Sequence, residues 1–179
     1  MRTFIALELP ENVKEEIVKM QKQIEKSGLM RGKLTEKENL HLTLKFLGEI
    51  SDDKAEAVKN KLKSLKFNRF ECQLGEIGVF SESFVRIVWV SLQSKEVFEL
   101  QKQIDEVLKD MFAKEERFMA HITIARPKFI EYKKAFIENL GKIAFKKEKF
   151  IIDKIYLKKS ELKSEGPVYE DLMILKMQP

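Results

Sequence analysis

Several residues from which functional sites are commonly built are scarce in this chain of 179 residues. The single cysteine, Cys72, excludes a disulfide framework and a thiolate cluster for zinc. Two histidines without cysteine partners make a poor metal site, so no metal and no other cofactor is expected. No apolar run approaches transmembrane length, and the N-terminal MRTFIALELPENV meets charge too early to be a signal-peptide core. These absences point to a soluble, cytoplasmic protein with no membrane partner. Charge of one sign is not blocked anywhere, so no long disordered tail is expected either.

Hydrophobic residues make up 44% of the chain and charged ones 35%, a globular composition. A chain of this length buries about 70% of its unfolded surface, enough for a core without staples. Lys and Arg outnumber Asp and Glu by 34 to 29, for a net charge of +5. That lean is compatible with a polyanionic ligand without demanding one, and solvated lysines account for most of it.

TFIALEL reads as a strand, and ENVKEEIVKMQKQIEKSG as a helix through Val13, Ile17, Met20 and Ile24, closed by Gly28. Residues 30–39, MRGKLTEKEN, read as an irregular polar loop. LHLTLKFLGEI then reads as a strand, and DKAEAVKNKLKSL as a helix capped by Ser51 or Asp52. FECQLGEIGVFS and FVRIVWVSLQ form a hairpin pattern about SES, followed by the amphipathic KEVFELQKQIDEVLKDMF. FMAHITIARPKF is a further strand, EYKKAFIENLGK a helix, and the tail reads as two strands turning near Asp153 and a last one, VYEDLMILKM. Strand, helix, strand, helix thus occurs twice. The expectation is an α+β fold of a single bilobal domain spanning 1–179. Two pseudo-symmetric lobes of antiparallel or mixed sheet carry helices on their outer faces, and a central cleft is the functional face.

The two histidines sit in an echo: HLTL at His41 to Leu44 returns eighty positions later as HITI at His121 to Ile124. The chain has only four threonines, so both histidines would have threonine two positions on by chance in roughly one case in two thousand. In a strand, His41 and Thr43 point to one face and Leu42 and Leu44 to the other, and likewise for the second copy. The aliphatics belong in the core, which leaves both His/Thr pairs facing the cleft. A lone strand histidine is usually a satisfied structural residue; the duplication favours a catalytic pair. One imidazole can accept a proton while the other donates one, and threonine hydroxyls can hold a phosphate. Lys45, in phase with His41 and Thr43, and Arg126 are the nearby cations. Strict alternation places Arg126 on the core face, so either the strand bulges or ends before Pro127, or Arg126 is a surface residue. Among the aromatics, Tyr156, Tyr169, Phe118 and Trp89 are candidates for stacking on a base, with Trp89 the more natural core residue.

HLTLKFLGE and HITIAR resemble the paired H-x-T-x motifs of the two-histidine phosphoesterase superfamily. MRTFIAL, RIVWV and SEL…GPVYEDL resemble the bacterial and archaeal RNA 2′,3′-cyclic phosphodiesterases, also named 2′-5′ RNA ligases. The likeness runs over essentially the whole chain, with one departure at Met119-Ala120, where the family often has proline. The resemblance implies metal-independent hydrolysis of RNA 2′,3′-cyclic phosphate ends to 2′-phosphomonoesters, with 2′-5′ RNA ligation where a 5′-hydroxyl replaces water. It makes His41 the acid that protonates the leaving 3′-oxygen and His121 the base that activates water. Thr43 and Thr123 would hold phosphate oxygens, with Arg126, Lys45 and Tyr169 as further substrate-binding candidates. The implied partner is RNA with cyclic phosphate ends, tRNA fragments included, and a monomer is expected. Rival readings are a non-catalytic RNA-binding module and a phosphodiesterase acting on small cyclic nucleotides or 2′-5′ oligonucleotides.

Overall fold

Val13, Ile17, Met20 and Ile24 form one apolar stripe, buried in the folded chain, and make Glu11–Lys26 a helix with a face to bury. Gly28, at φ +66°, ends it in the left-handed conformation that residues with a Cβ resist. Asp52–Leu62 starts where the Ser51 hydroxyl accepts the Lys54 N–H at 3.2 Å, and Lys95–Val107 starts where Ser94 caps Glu96 in the same way.

The computed structural model describes all 179 residues. In chain order the elements are β1 (Arg2–Glu8), α1 (Glu11–Lys26), β2 (Met30–Leu34), a 3₁₀ turn (Lys37–Asn39), β3 (His41–Glu49) and α2 (Asp52–Leu62). There follow β4 (Phe70–Val79), β5 (Val88–Gln93), α3 (Lys95–Val107), β6 (His121–Ile130), α4 (Lys133–Gly141), β7 (Lys149–Ile152), β8 (Lys154–Lys163) and β9 (Gly166–Lys176). The α+β class expected from the sequence holds. The two lobes, however, are halves of one nine-stranded sheet in the order β7-β4-β5-β6-β3-β1-β8-β9, with β2 added to β6. Every strand pairing is antiparallel. The halves join through one register pair between β3 and β6, Leu42 with Ile122.

Three expectations change. Residues 30–34 are a strand and not a loop: β2 pairs with β6 and is polar because it lies at an edge and is largely exposed. Gly32 is required there, since a Cβ would meet the Arg126 carbonyl oxygen at 2.3 Å. The strand β5 begins at Val88, later than the run from Phe84 suggested, because residues 80–87 form the loop of the hairpin. The strands on either side of Asp153 exist but do not pair with each other: β7 joins β4 and β8 joins β1. Asp153 therefore carries the chain from one end of the sheet to the other. The ends are drawn together there, with the Met177 N–H donating to the Asp153 carbonyl at 2.8 Å and the Gln178 N–H to that of Phe67 at 2.9 Å.

Leu42, Leu44, Ile122 and Ile124 all enter one contiguous core beneath the helices, as the periodicity requires. The helices cross over: α1 lies against β2 and β6, and α3 lies against β3. No helix is long and apolar enough to cross a membrane.

Candidate active site

The Leu42–Ile122 pair sets His41 and His121 on opposite sides of the seam, and both line a cleft of about 830 Å³ together with Thr43 and Thr123. Each imidazole is held by the same device. His41 Nδ1 lies 2.7 Å from the Asn39 carbonyl oxygen, and His121 Nδ1 lies 2.8 Å from that of Met119. A carbonyl only accepts, so Nδ1 carries the proton in both rings and Nε2 is left as the free nitrogen. His41 Nε2 is 3.1 Å from the Thr43 hydroxyl.

Each ring is also met edge-on by an aromatic from its own lobe. Tyr169 stands 5.2 Å from His41 at 88°, and Phe80 stands 5.1 Å from His121 at 88°. Phe4 covers a second side of His41 at 5.0 Å. Burial among these rings pushes the His41 pKa down to about 4, against the opposing pull of the Asn39 hydrogen bond. Burial pushes the Tyr169 phenol up, while Arg126 nearby pulls it back.

The Arg126 question is answered by a bulge. In the pairing of β5 with β6, Val88 faces Ala125 and Trp89 faces Thr123, so Ile124 has no partner. One extra residue shifts the alternation by a step. Ala125 and Pro127 are buried, and Arg126 turns outward to line the cleft. The first motif repeats this: Ile5 faces Lys45 and Ala6 faces Thr43, leaving Leu44 unpaired. The consequence for Lys45 is the opposite of the expectation. Lys45 is only 3% exposed, with its ammonium 2.5 Å from Asp105 on α3 and 2.7 Å from the Ala113 carbonyl. Burial raises the Asp105 carboxyl, but hydrogen bonds from Lys45, Gln101 and the Glu115 N–H outweigh it and hold the pKa below its ordinary value. The Lys45 charge is thus spent inside the fold.

Phe46 takes the outward place that Arg126 has in the other motif, and at 66% exposure it lines the cleft. The spacing carries a signal of this equivalence, since Phe46 and Arg126 each lie five residues after their histidine. Phe80, 54% exposed, lies in a loop, where no periodicity signals its role. Phe118 lines the cleft, whereas Trp89 packs beneath Phe80 at 5.9 Å. Lys158 departs from the solvated lysines that make up most of the basic lean: it is buried between Glu8 at 2.5 Å and Asp171 at 2.6 Å.

A bilobal α+β fold that brings two H-x-T-x strands to one cleft defines the two-histidine phosphoesterase class. The family described as LigT like Phosphoesterase matches this chain twice in tandem, over residues 7–90 and 88–169, with one histidine motif in each match. An RNA 2′,3′-cyclic phosphodiesterase of Methanocaldococcus jannaschii is 40% identical over 175 residues, covering 95% of this chain and 97% of that protein. The crystal structure of TT0787 from Thermus thermophilus superposes with a TM-score of 0.83 at 25% identity, covering 99% of this chain and 98% of that one. That of Escherichia coli LigT complexed with ATP shares the fold, at a TM-score of 0.76 and 21% identity, with the same coverage. The chain belongs to the LigT-like phosphoesterase family.

Proposed function

We propose that the protein opens 2′,3′-cyclic phosphate ends of RNA to 2′-phosphomonoesters, with His41 and His121 as the acid–base pair and without a metal. The observation that carries this reading is the pair of equivalent bulged strands, which present two histidines and two threonines to one cleft. The name of the 40% identical relative supports the choice of substrate.

His121 Nε2 takes a proton from water as the water oxygen attacks phosphorus. The bond from phosphorus to the 3′-oxygen breaks, and His41 delivers a proton to that oxygen. Each proton transfer is worth about 10²–10⁴-fold. The charge building on the non-bridging oxygens is met by the Thr43 and Thr123 hydroxyls and by Arg126. His41 is neutral in the empty cleft near neutral pH, so its role as acid depends on the substrate. An anionic phosphate against the ring offsets the desolvation and raises its proton affinity. Once His41 is protonated, Nε2 no longer accepts from Thr43, and that hydroxyl is released to the phosphate. Phe46 and Phe80, on opposite lobes, offer stacking faces for bases on either side of the reacting phosphorus. With a 5′-hydroxyl in place of water, the same steps in the same direction form a 2′-5′ linkage: the hydroxyl gives its proton to His121, its oxygen bonds phosphorus, and the 3′-oxygen leaves with the proton from His41.

The test is to incubate the protein with an oligoribonucleotide ending in a 2′,3′-cyclic phosphate and to identify the terminal monoester. A 2′-phosphate is expected. A 3′-phosphate would place the acid on the wrong oxygen and overturn the assignment, and an unchanged end would remove the function.

A further inference from the structure

One part of the cleft is left over by this chemistry. Arg2 on β1 pairs with Ser160 on β8, and Ser160 pairs with Tyr169 on β9. Directly opposed residues of antiparallel strands share a face, so the three side chains form a row across the sheet, and all three line the cleft. The Arg2 guanidinium enters none of the ion pairs of the fold, and neither the Ser160 nor the Tyr169 hydroxyl has a hydrogen-bond partner. In the neighbouring row, Phe4 with Lys158 and Lys158 with Asp171, the cation is already neutralised by Glu8 and Asp171. Arg2 is therefore the uncommitted charge at this end of the lobe.

The row also has a definite place relative to the reaction. Its member on the edge strand, Tyr169, reaches back to stand edge-on to His41, the histidine on the leaving-group side. Arg2 lies two residues along β1 from Phe4, which packs on the same ring, a step of about 6.6 Å. A guanidinium with two hydroxyl donors on an open sheet face is suited to a phosphodiester.

We infer that Arg2, Ser160 and Tyr169 form a second phosphate subsite, which takes the phosphate 5′ to the nucleoside that carries the cyclic end. This rests on the function proposed above and sharpens it. The protein then selects the ends of nucleotide chains over free nucleoside cyclic phosphates, and the smallest ligand that fills both subsites is a nucleoside with phosphates at its 2′ and 5′ positions.

Binding of adenosine 2′-monophosphate and adenosine 2′,5′-bisphosphate, measured by calorimetry on the full chain, tests this without relying on turnover. The bisphosphate is expected to bind at least about tenfold more tightly. Arg2→Ala should erase that advantage while leaving the monophosphate affinity unchanged, and Arg2→Lys should restore part of it. Equal affinities in the unaltered protein would overturn the subsite, as would an equal loss for both ligands in a variant whose melting temperature is unchanged. Turnover of adenosine 2′,3′-cyclic phosphate with and without a 5′-phosphate separates the two proposals. A preference in binding with no opening of either compound leaves the subsite standing and removes the function; opening of both at the same rate does the reverse.

Discussion

Leu42 and Ile122 face each other across the only register pair between β3 and β6, and each is the residue that follows a catalytic candidate. The seam between the lobes is thus also the ruler that sets His41 against His121. Because both side chains are fully buried, the placement of the imidazoles depends on core packing and not on a flexible loop.

Replacing either histidine removes one proton transfer. His41→Ala and His121→Ala should each lower kcat on a cyclic-phosphate RNA end by about 10²–10⁴-fold, with an unchanged far-ultraviolet circular dichroism spectrum. Turnover near the original rate in either variant would dismiss the paired mechanism.

The buried state of His41 has two consequences for pH. If phosphate binding raises its proton affinity, the alkaline limb of kcat should lie at higher pH than that of kcat/KM, since the first reports the complex and the second the free protein. Coincident limbs would mean that substrate does not alter the ring. Stability responds as well. The unfolded chain binds a proton near the ordinary value of 6.5, whereas the folded one resists until about 4. The unfolded state therefore holds more protons in that window, and stability should fall as pH drops from about 6.5 to 4, by up to about 3 kcal/mol. Denaturant titrations of His41→Gln should show a shallower fall.

Lys45 should behave as a structural residue. Lys45→Met leaves Asp105 buried without its cation and should cost about 3–5 kcal/mol in denaturant unfolding. Lys45→Met with Asp105→Leu should recover much of that loss, along with activity. A large fall in kcat at unchanged stability would put the ammonium at the phosphate instead.

Phe46 and Arg126 hold equivalent places but differ in chemistry. Arg126→Ala should lower kcat/KM by roughly 10²-fold through lost stabilisation of the phosphate charge. Phe46→Ala should act mainly on KM, by about tenfold, as a lost stacking face does. Steady-state kinetics on one oligonucleotide separates the two effects, and equal effects on kcat and KM at both positions would argue against this division.

No three side chains among His, Cys, Asp and Glu converge on a metal-sized site. The proposed proton transfers use only the two imidazoles, so activity should survive prolonged EDTA treatment, and loss that zinc or magnesium restores would count against the proton-transfer scheme.

Much of this was legible in the sequence because strand periodicity is a strict rule: the leucines and isoleucines of HLTL and HITI could only go inward. The same rule misplaced Lys45 and left Arg126 in doubt, because a bulge is set by the partner strand and not by the residues that form it. Residues 30–34 escaped notice since an exposed edge strand carries no apolar alternation. Tyr169 and Phe80 meet their histidines through contacts between distant segments, which no local pattern encodes. One repeat did lie in plain view: Gln21 and Gln101 stand eighty positions apart, as the histidines do, in the matching stretches MQKQI and LQKQI.

Those two glutamines show how the N- and C-terminal halves of the chain depend on each other. Gln21, from α1, donates to the Ile124 carbonyl at 2.8 Å, inside the bulge of the other half. Gln101, from α3, holds Asp105, which neutralises Lys45 in the first half. Each half thus completes the interior polar bonding of its counterpart. A chain severed in the loop 80–87 would yield two fragments that are obligate complements. Neither could retain a portion of the activity alone, and function would return only on reassociation.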